Sequence, residues 1–359
     1  MGNYLKIIIM KFSIFLIFFV TFNSGAICQN LKGYEIVKLI PTTDVKDQGY
    51  SGTCWSFATI SFLETEILRT KKISIDLSEM FIVRNIYPEK AKNYFRTQGN
   101  SYFTAGGQPQ DVLRVMKNNG LVPESSYKQK MDVIYGYNTS ILDTAANDFI
   151  KNYRKNEDET ISLDWISKFD NLLNKHLGVP PLEFEYNDIK YNPLSFTNDF
   201  LSLDANNYIQ ITSFNHHPYN DFFCLESRYN WSLDQYYNVE LKRFMSIINS
   251  SLLNGFSVVF NGDVSEKEFD FYQGNATISE KDIDDGSIRQ ILFETGSSTV
   301  DHVMHIVGIA KGIDGKNYYI TKNSWGIENV CGGYIYLSED YVKLKTMSVL
   351  VNRDVLKLN

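Results

Sequence analysis

Three separated segments carry side chains that can perform one kind of chemistry together. The first is Gln48-Gly49-Tyr50-Ser51-Gly52-Thr53-Cys54-Trp55. A thiol is a useful nucleophile when it ionises near neutral pH. Cys54 opens a stretch of helical spacing, where unpaired backbone N–H groups and the helix dipole favour the thiolate. Gln48 lies across a glycine turn that can fold its carboxamide back, to donate to an oxyanion together with the Cys54 N–H. The second segment is Asp301-His302-Val303-Met304-His305. An imidazole opening an apolar strand beside the thiol pairs with it, then gives a proton to a leaving amine. The third is Lys322-Asn323-Ser324-Trp325-Gly326. The Asn323 carboxamide accepts from the imidazole and fixes its tautomer, and Trp325 shields that bond from water. This is acyl transfer through a thioester, with no cofactor and no metal. His305 is three residues from His302, so it faces the other side of a strand and reads as a packed histidine.

Together these blocks resemble the papain family of cysteine peptidases. The resemblance implies Cys54 as nucleophile, His302 as acid and base, Asn323 as its orienter and Gln48 as oxyanion donor. It implies Gly106-Gly107 as cleft-wall glycines that hydrogen-bond an extended substrate backbone, and it places Trp325 at the substrate site. Within the family the chain is most similar to the bleomycin hydrolase and bacterial aminopeptidase C branch. Ser51-Gly52-Thr53-Cys54 lacks the extra cysteine that papain has before its nucleophile. Gly106-Gly107-Gln108, Asp111-Val112-Leu113, Gly120-Leu121-Val122-Pro123 and His302-Val303-Met304 look like that branch. Cys54 and His302 also stand much further apart than the roughly 130–150 residues of papain-like enzymes, as a helical insertion would require. The expected activity is therefore an aminopeptidase acting on peptide or protein substrates. A papain-like endopeptidase and a non-catalytic peptide-binding protein on the same fold remain as alternatives. The resemblance also implies a homo-oligomer. Members of the branch are mostly cytosolic and use a C-terminal tail in the cleft. Here only a short stretch follows Asn323, ending Asp354-Val355-Leu356-Lys357-Leu358-Asn359, so a tail-dependent restriction is not expected. Nor is a papain-type propeptide.

The elements that must position these groups read as α+β, with two lobes. Residues 29–130 are expected to form a mainly helical lobe, 131–240 a mostly helical insertion and 241–359 a mainly β lobe. Extended structure is expected over 29–50. The spacing predicts a helix from Cys54 through Leu68, with Glu64, Glu66 and Arg69 mostly on its polar face. Further helices are expected over Ser78–Val83 with Ser78 as cap, over Pro109–Asn118, near 141–153 and 165–177, and over 241–253. Strands are expected over 256–260, 302–310, 317–322, 333–337 and 346–352, with a turn at Asp314-Gly315.

The chain has 359 residues, 43% of them hydrophobic and 14% aromatic, with a net charge of −7. That supports a substantial core and excludes a mainly disordered chain, and the acidic balance argues against a nucleic-acid binder. Lys6 and Lys11, the apolar run Phe12–Phe22 and the small residues Ser24-Gly25-Ala26 read as a signal peptide spanning residues 1–28. The run is too short to span a bilayer. A secreted or periplasmic protein with no stable membrane span is expected. Lipid attachment at Cys28 is disfavoured by bulky Ile27. The four cysteines do not make a disulfide scaffold, and pairing of Cys224 with Cys331 stays open. His216, His217, Asp221 and Cys224 fit no standard zinc spacing and read as a polar loop. Gly312–Lys316 lacks the spacing of a phosphate loop and reads as a hairpin turn.

Overall fold

A computed structural model describes residues 33–128, 136–155, 164–278 and 286–357. The signal-peptide reading of residues 1–28 lies outside them. Among the described residues no helix is long and apolar enough to cross a membrane.

One lobe is built on helix α1 (Cys54–Lys71), α2 (Glu79–Arg96) and α3 (Pro109–Asn119). Each starts and stops for a local reason. Lys72 adopts the left-handed conformation at the end of α1 and its N–H returns to the Leu68 carbonyl. Ser78 caps α2 by accepting from the Phe81 N–H. Pro109 occupies the first turn of α3, where no N–H is needed, and the Asp111 carboxylate accepts the Gln108 N–H. The helix over 78–83 is far longer than the sequence suggests. Pro88 lies inside it, yet Ile86, Tyr87 and Ala91 are fully buried, and that packing carries the helix past a residue that would otherwise end it.

Helix α1 also departs from a simple amphipathic reading. Trp55 through Leu68 are buried without a break, Glu64 and Glu66 included. The helix is central: β-strands cover one side and the other helices cover the rest. A buried carboxylate must be paired. Glu64 bonds to Lys46, and Glu66 to Arg69 and Asn352.

The second lobe is one large, mostly antiparallel sheet. Its strands are β1 (Tyr34–Leu39), β4 (Tyr208–Thr212), β5 (Asp221–Cys224), β6 (Gln235–Asn238), β7 (Val258–Gly262), β8 (Phe269–Asp270), β9 (Asn275–Ala276), β10 (His302–Gly312), β11 (Asn317–Lys322), β12 (Tyr334–Ser338) and β13 (Thr346–Asn352), while β2 (Phe184–Tyr186) and β3 (Ile189–Tyr191) form a separate hairpin. The order is β5-β6-β4-β13-β7-β10-β11-β12-β9-β8, with β1 pairing the far half of β10. Helix α7 (Leu241–Leu253) lays Phe244, Ile247, Ile248 and Leu252 onto this sheet. Helices α8 (Ser287–Glu294) and α9 (Glu339–Lys345) flank it.

The segment 131–240, expected as a mostly helical insertion, carries more helix than strand and also adds strands to the main sheet. It begins with α4 (Ser140–Lys155) and α5 (Trp165–Leu177), whose Leu142, Ala146, Phe169 and Leu173 join the core of the helical lobe. After a short turn, α6 (Pro193–Ser195), and a π-helical stretch over 196–201, it ends in β4, β5 and β6. β4 pairs directly with β13 inside the main sheet. Its Tyr-Ile-Gln-Ile-Thr is buried on both faces, so the period-2 alternation that marks a half-exposed strand is absent.

Candidate active site

The Asp314-Gly315 turn closes the β10–β11 hairpin, and Gly315 takes the positive φ the turn needs. The hairpin therefore returns Asn323, just past β11, to the end of the sheet where β10 begins with His302. Helix α1 lies against β10, and Ser61 Oγ meets His305 Nδ1 at 2.9 Å. From that contact, two helical turns back to Cys54 cover about 10.5 Å, and three strand residues back to His302 cover about 10 Å. Helix and strand thus deliver Cys54 and His302 to the same place. Both line a cleft of about 490 Å³ between the lobes, together with Gln48, Gly106, Gly107 and Trp325. Asn323 stands behind His302.

The hydrogen bonds determine the imidazole's tautomer. The Ser324 N–H donates to Asn323 Oδ1 at 2.8 Å, which identifies that atom as the oxygen. His302 Nε2 lies 2.7 Å from the same oxygen and must therefore carry the proton. Nδ1 is left with a lone pair. The Trp325 ring covers the imidazole at 4.6 Å between centroids and is itself backed by Phe271. His302 and Asn323 are buried, and Cys54 is half-buried at the first turn of α1.

Gln48 is held by the same loop. Its N–H donates to the Ser324 carbonyl, its Oε1 accepts from Ser324 Oγ at 2.6 Å, and its Nε2 donates to the Ser51 carbonyl at 2.8 Å. Ser324 thus orients two of the expected site residues. The sequence contained it within the Asn323–Gly326 block but offered no sign of that role. On the opposite wall, Trp55 Nε1 donates to the Ala105 carbonyl, and Lys90 donates to the carbonyls of Thr104 and Gly106. A Cβ on Gly107 would stand 2.7 Å from the Trp55 ring and 2.9 Å from Asp111. Gly107→Ala is expected to lower stability by about 1–3 kcal/mol, read as a lower urea midpoint at unchanged m-value.

Burial sets the resting charges. It pushes the Cys54 thiol up to about 11 against hydrogen bonds from the Val303 and Trp55 N–H groups, and Asp301 nearby pushes the same way. It also pushes His302 down to about 4, against the opposing bond to Asn323. Burial and Asp263 push Asp301 up to about 7. His305 is buried too, bonded to Ser61 with Lys322 beside it, and both burial and that cation hold it well below the usual histidine range. Folding therefore keeps both histidines neutral where the unfolded chain takes up protons, from about pH 6.5 downward. Their contribution is complete above pH 6.5 and is lost as pH falls toward 4, at up to about 1.4 kcal/mol per pH unit per histidine. Urea midpoints at pH 7.5, 6 and 5 should fall in that order, and a flat series would contradict the buried neutral state.

Cys331 is buried, whereas Cys224 is exposed and donates to the Leu233 carbonyl, so the two are not joined. The open question of a Cys224–Cys331 bridge is thus answered against it. His216 Nε2 and His217 Nε2 both meet Glu226, at 3.0 and 2.7 Å. A metal does not suit His216. Gln290 Oε1 takes the Asn215 N–H, so the Gln290 amide donates to His216 Nδ1 and leaves the His216 proton on Nε2, facing Glu226. Asp221 and Cys224 take no part in the cluster.

The fold agrees with the comparisons to known proteins. The chain belongs to the Peptidase C1-like family, whose model matches residues 28–359, and it is a cysteine-type peptidase. Aminopeptidase C of Lactococcus lactis subsp. lactis (strain IL1403) is 23% identical over 358 residues, covering 87% of this chain and 81% of that protein. Aminopeptidase W of Lactobacillus delbrueckii subsp. lactis is 23% identical over 386 residues, covering 91% and 85%. Among solved structures, PepW from Lactobacillus rhamnosis HN001 superposes with a TM-score of 0.72 at 18% identity, over 90% of this chain and 85% of that one.

Proposed function

We propose that this protein is an aminopeptidase in which Cys54 attacks the carbonyl of the first peptide bond, with His302, Asn323 and Gln48 as its partners. The observation that carries the assignment is the tautomer. With Nε2–H committed to Asn323, only Nδ1 of His302 can take the thiol proton. Burial disfavours either charge alone, so proton transfer is favourable only as a pair, each ion stabilising the other. The thiolate forms a bond to the carbonyl carbon. The oxyanion accepts from the Cys54 N–H and from the Gln48 amide, whose orientation Ser324 fixes. Imidazolium His302 returns its proton to the departing amine, and water then cleaves the thioester with His302 as base. Gly106 and Gly107 line the wall along which an extended substrate lies, and Trp325 keeps the His302–Asn323 bond dry. Relatives named as aminopeptidases, matched over most of their length, support the amino-terminal mode. Export by a leader over residues 1–28 belongs to the same reading, and sequencing the amino terminus of the mature protein tests it.

The deciding experiment is mass-spectrometric mapping of products from a peptide library, with each peptide supplied both free and N-acetylated. Sequential loss of residues from free peptides, with acetylated ones spared, is expected. Internal cleavage of acetylated peptides at comparable rates would replace this reading with an endopeptidase.

A further inference from the structure

The cleft has a direction. The departing amine must lie beside His302, so the acyl part of the substrate extends the other way, along Gly52 and Thr104–Gly107. That end is not open. The Tyr229 ring packs on Gly106 so closely that a Cβ there would stand 2.5 Å away, and Tyr102 packs edge-on against Tyr229. Helix α4 closes the Gly52 side: Asn138 pairs with Tyr50, the Thr139 N–H reaches the Tyr50 carbonyl, and Asp143 and Asn147 line the cleft.

We propose that Asp143 is a specificity residue, the anion that receives the alkylammonium group of a substrate's acyl residue, with the free α-amine as its source. This rests on the aminopeptidase reading above and gives it a recognition group drawn from α4. The carboxylate is held in place by neutral donors. Tyr87 O–H donates to Oδ1 and Thr139 O–H donates to Oδ2, at 2.9 Å in the second case. Those bonds orient the group and leave its charge without a dedicated counter-ion.

The nearest cation is shared. Lys90 is buried between Asp111 and Asp143, and its ammonium donates to the Thr104 and Gly106 carbonyls. Burial raises both carboxyl groups and pushes Lys90 down to about 8, while the lysine pulls each carboxyl back toward its charged form, so one cation is shared between two acids. Asp111 is sealed in the wall, bonded to the Gln108 N–H and Trp231 Nε1. Asp143 is the member of the pair that reaches the cleft. Asp301 also lines it, on the His302 side; among the described residues no lysine or arginine lines it, although the Arg228 guanidinium lies over the Tyr102 and Tyr229 rings. A cation entering the closed end therefore meets an oriented carboxylate, with Asn147 one helical turn away. Thr139 and Asp143 also form the first turn of α4, so a purely capping role for Asp143 is the competing account.

The test uses Asp143→Asn, which keeps an oxygen for Tyr87 or Thr139 and removes the charge. Four substrates are compared as kcat/KM on the full-length protein: an alanyl amide and its N-acetyl form, and lysyl and norleucyl amides. Losing a charge-assisted hydrogen bond should cut the ratio of free to acetylated substrate roughly 10- to 100-fold. The lysine-to-norleucine ratio should stay fixed. Asn147→Asp, which adds a carboxylate without touching the cap, should raise the free-to-acetylated ratio. If only the lysine-to-norleucine ratio falls, Asp143 reads a side chain and the terminus assignment is overturned. If neither ratio moves while stability drops, Asp143 is only a cap. Should the wild-type protein itself cleave both alanyl substrates equally, the aminopeptidase reading fails first, and that outcome is visible before any variant is made.

Discussion

Cys54→Ala is expected to lower kcat/KM for peptide hydrolysis by about 10⁴- to 10⁶-fold, with the fold intact. The side chain is half-buried and its sulfur is the only thiol lining the described cleft, so removing it deletes the nucleophile and leaves a void smaller than a methyl group. His302→Ala should cost a similar factor, and the double variant little more than either single one, because the two groups act as a unit. Active-site titration with an alkylating peptide separates outcomes. Labelling of the wild type at Cys54, absent in His302→Ala at neutral pH, is expected, since the thiol pushed up to about 11 ionises only with the imidazole as its partner. Undiminished hydrolysis by purified Cys54→Ala would show that the activity belongs to another protein, and the non-catalytic peptide-binding alternative would then stand.

The convergence of the candidate site residues was more legible than the architecture, for physical reasons. Nucleophilic catalysis restricts residue type and local spacing, so Cys54, His302, Asn323 and Gln48 stood out in short blocks, and those blocks do converge on one cleft. Helix starts were equally legible, because Ser78 and Pro109 act through bonds to their nearest neighbours. What could not be read depends on long-range packing. Nothing local shows that α2 continues through Pro88, because the reason lies in the partners of Tyr87 and Ala91. Nothing in Tyr208–Thr212 reveals a strand at the centre of a sheet, because burial on both faces erases the alternation. Asp143 and Tyr229 belong to none of the blocks that stood out in the sequence, and only the fold brings them to Gly52 and Gly106.

Long-range packing also explains why Lys46, which no motif marks, should be a highly sensitive position for stability. Its ammonium lies 2.6 Å from Glu79, 3.2 Å from Glu64 and 2.6 Å from Asp76, and it donates to the Leu77 carbonyl. Glu64 and Glu79 are buried, and together with Asp76 they hold the lysine well above its ordinary range. Taking away the cation leaves two buried carboxylates facing each other, a loss of about 3–5 kcal/mol. Lys46→Met should therefore lower the melting temperature by on the order of 10 °C. The pH dependence has a definite sign. Unpaired buried carboxylates titrate above their unfolded values, so their penalty is full at high pH and relieved as pH falls through the raised folded pKa. The gap between Lys46→Met and wild type should narrow from pH 8 to pH 5. Adding Glu79→Met should recover part of the loss at pH 8, since an apolar pair can replace a buried ion pair at little cost. A gap that is independent of pH would mean that the lysine acts through its aliphatic stem alone. The same residue ties the lobes: the Gly326 N–H donates to the Lys46 carbonyl, Asp47 pairs with Trp325, and Gln48 follows. Lys46→Met should accordingly lower kcat more than it raises KM, because the loop it anchors presents the oxyanion donor while the substrate wall stands on α2 and α3.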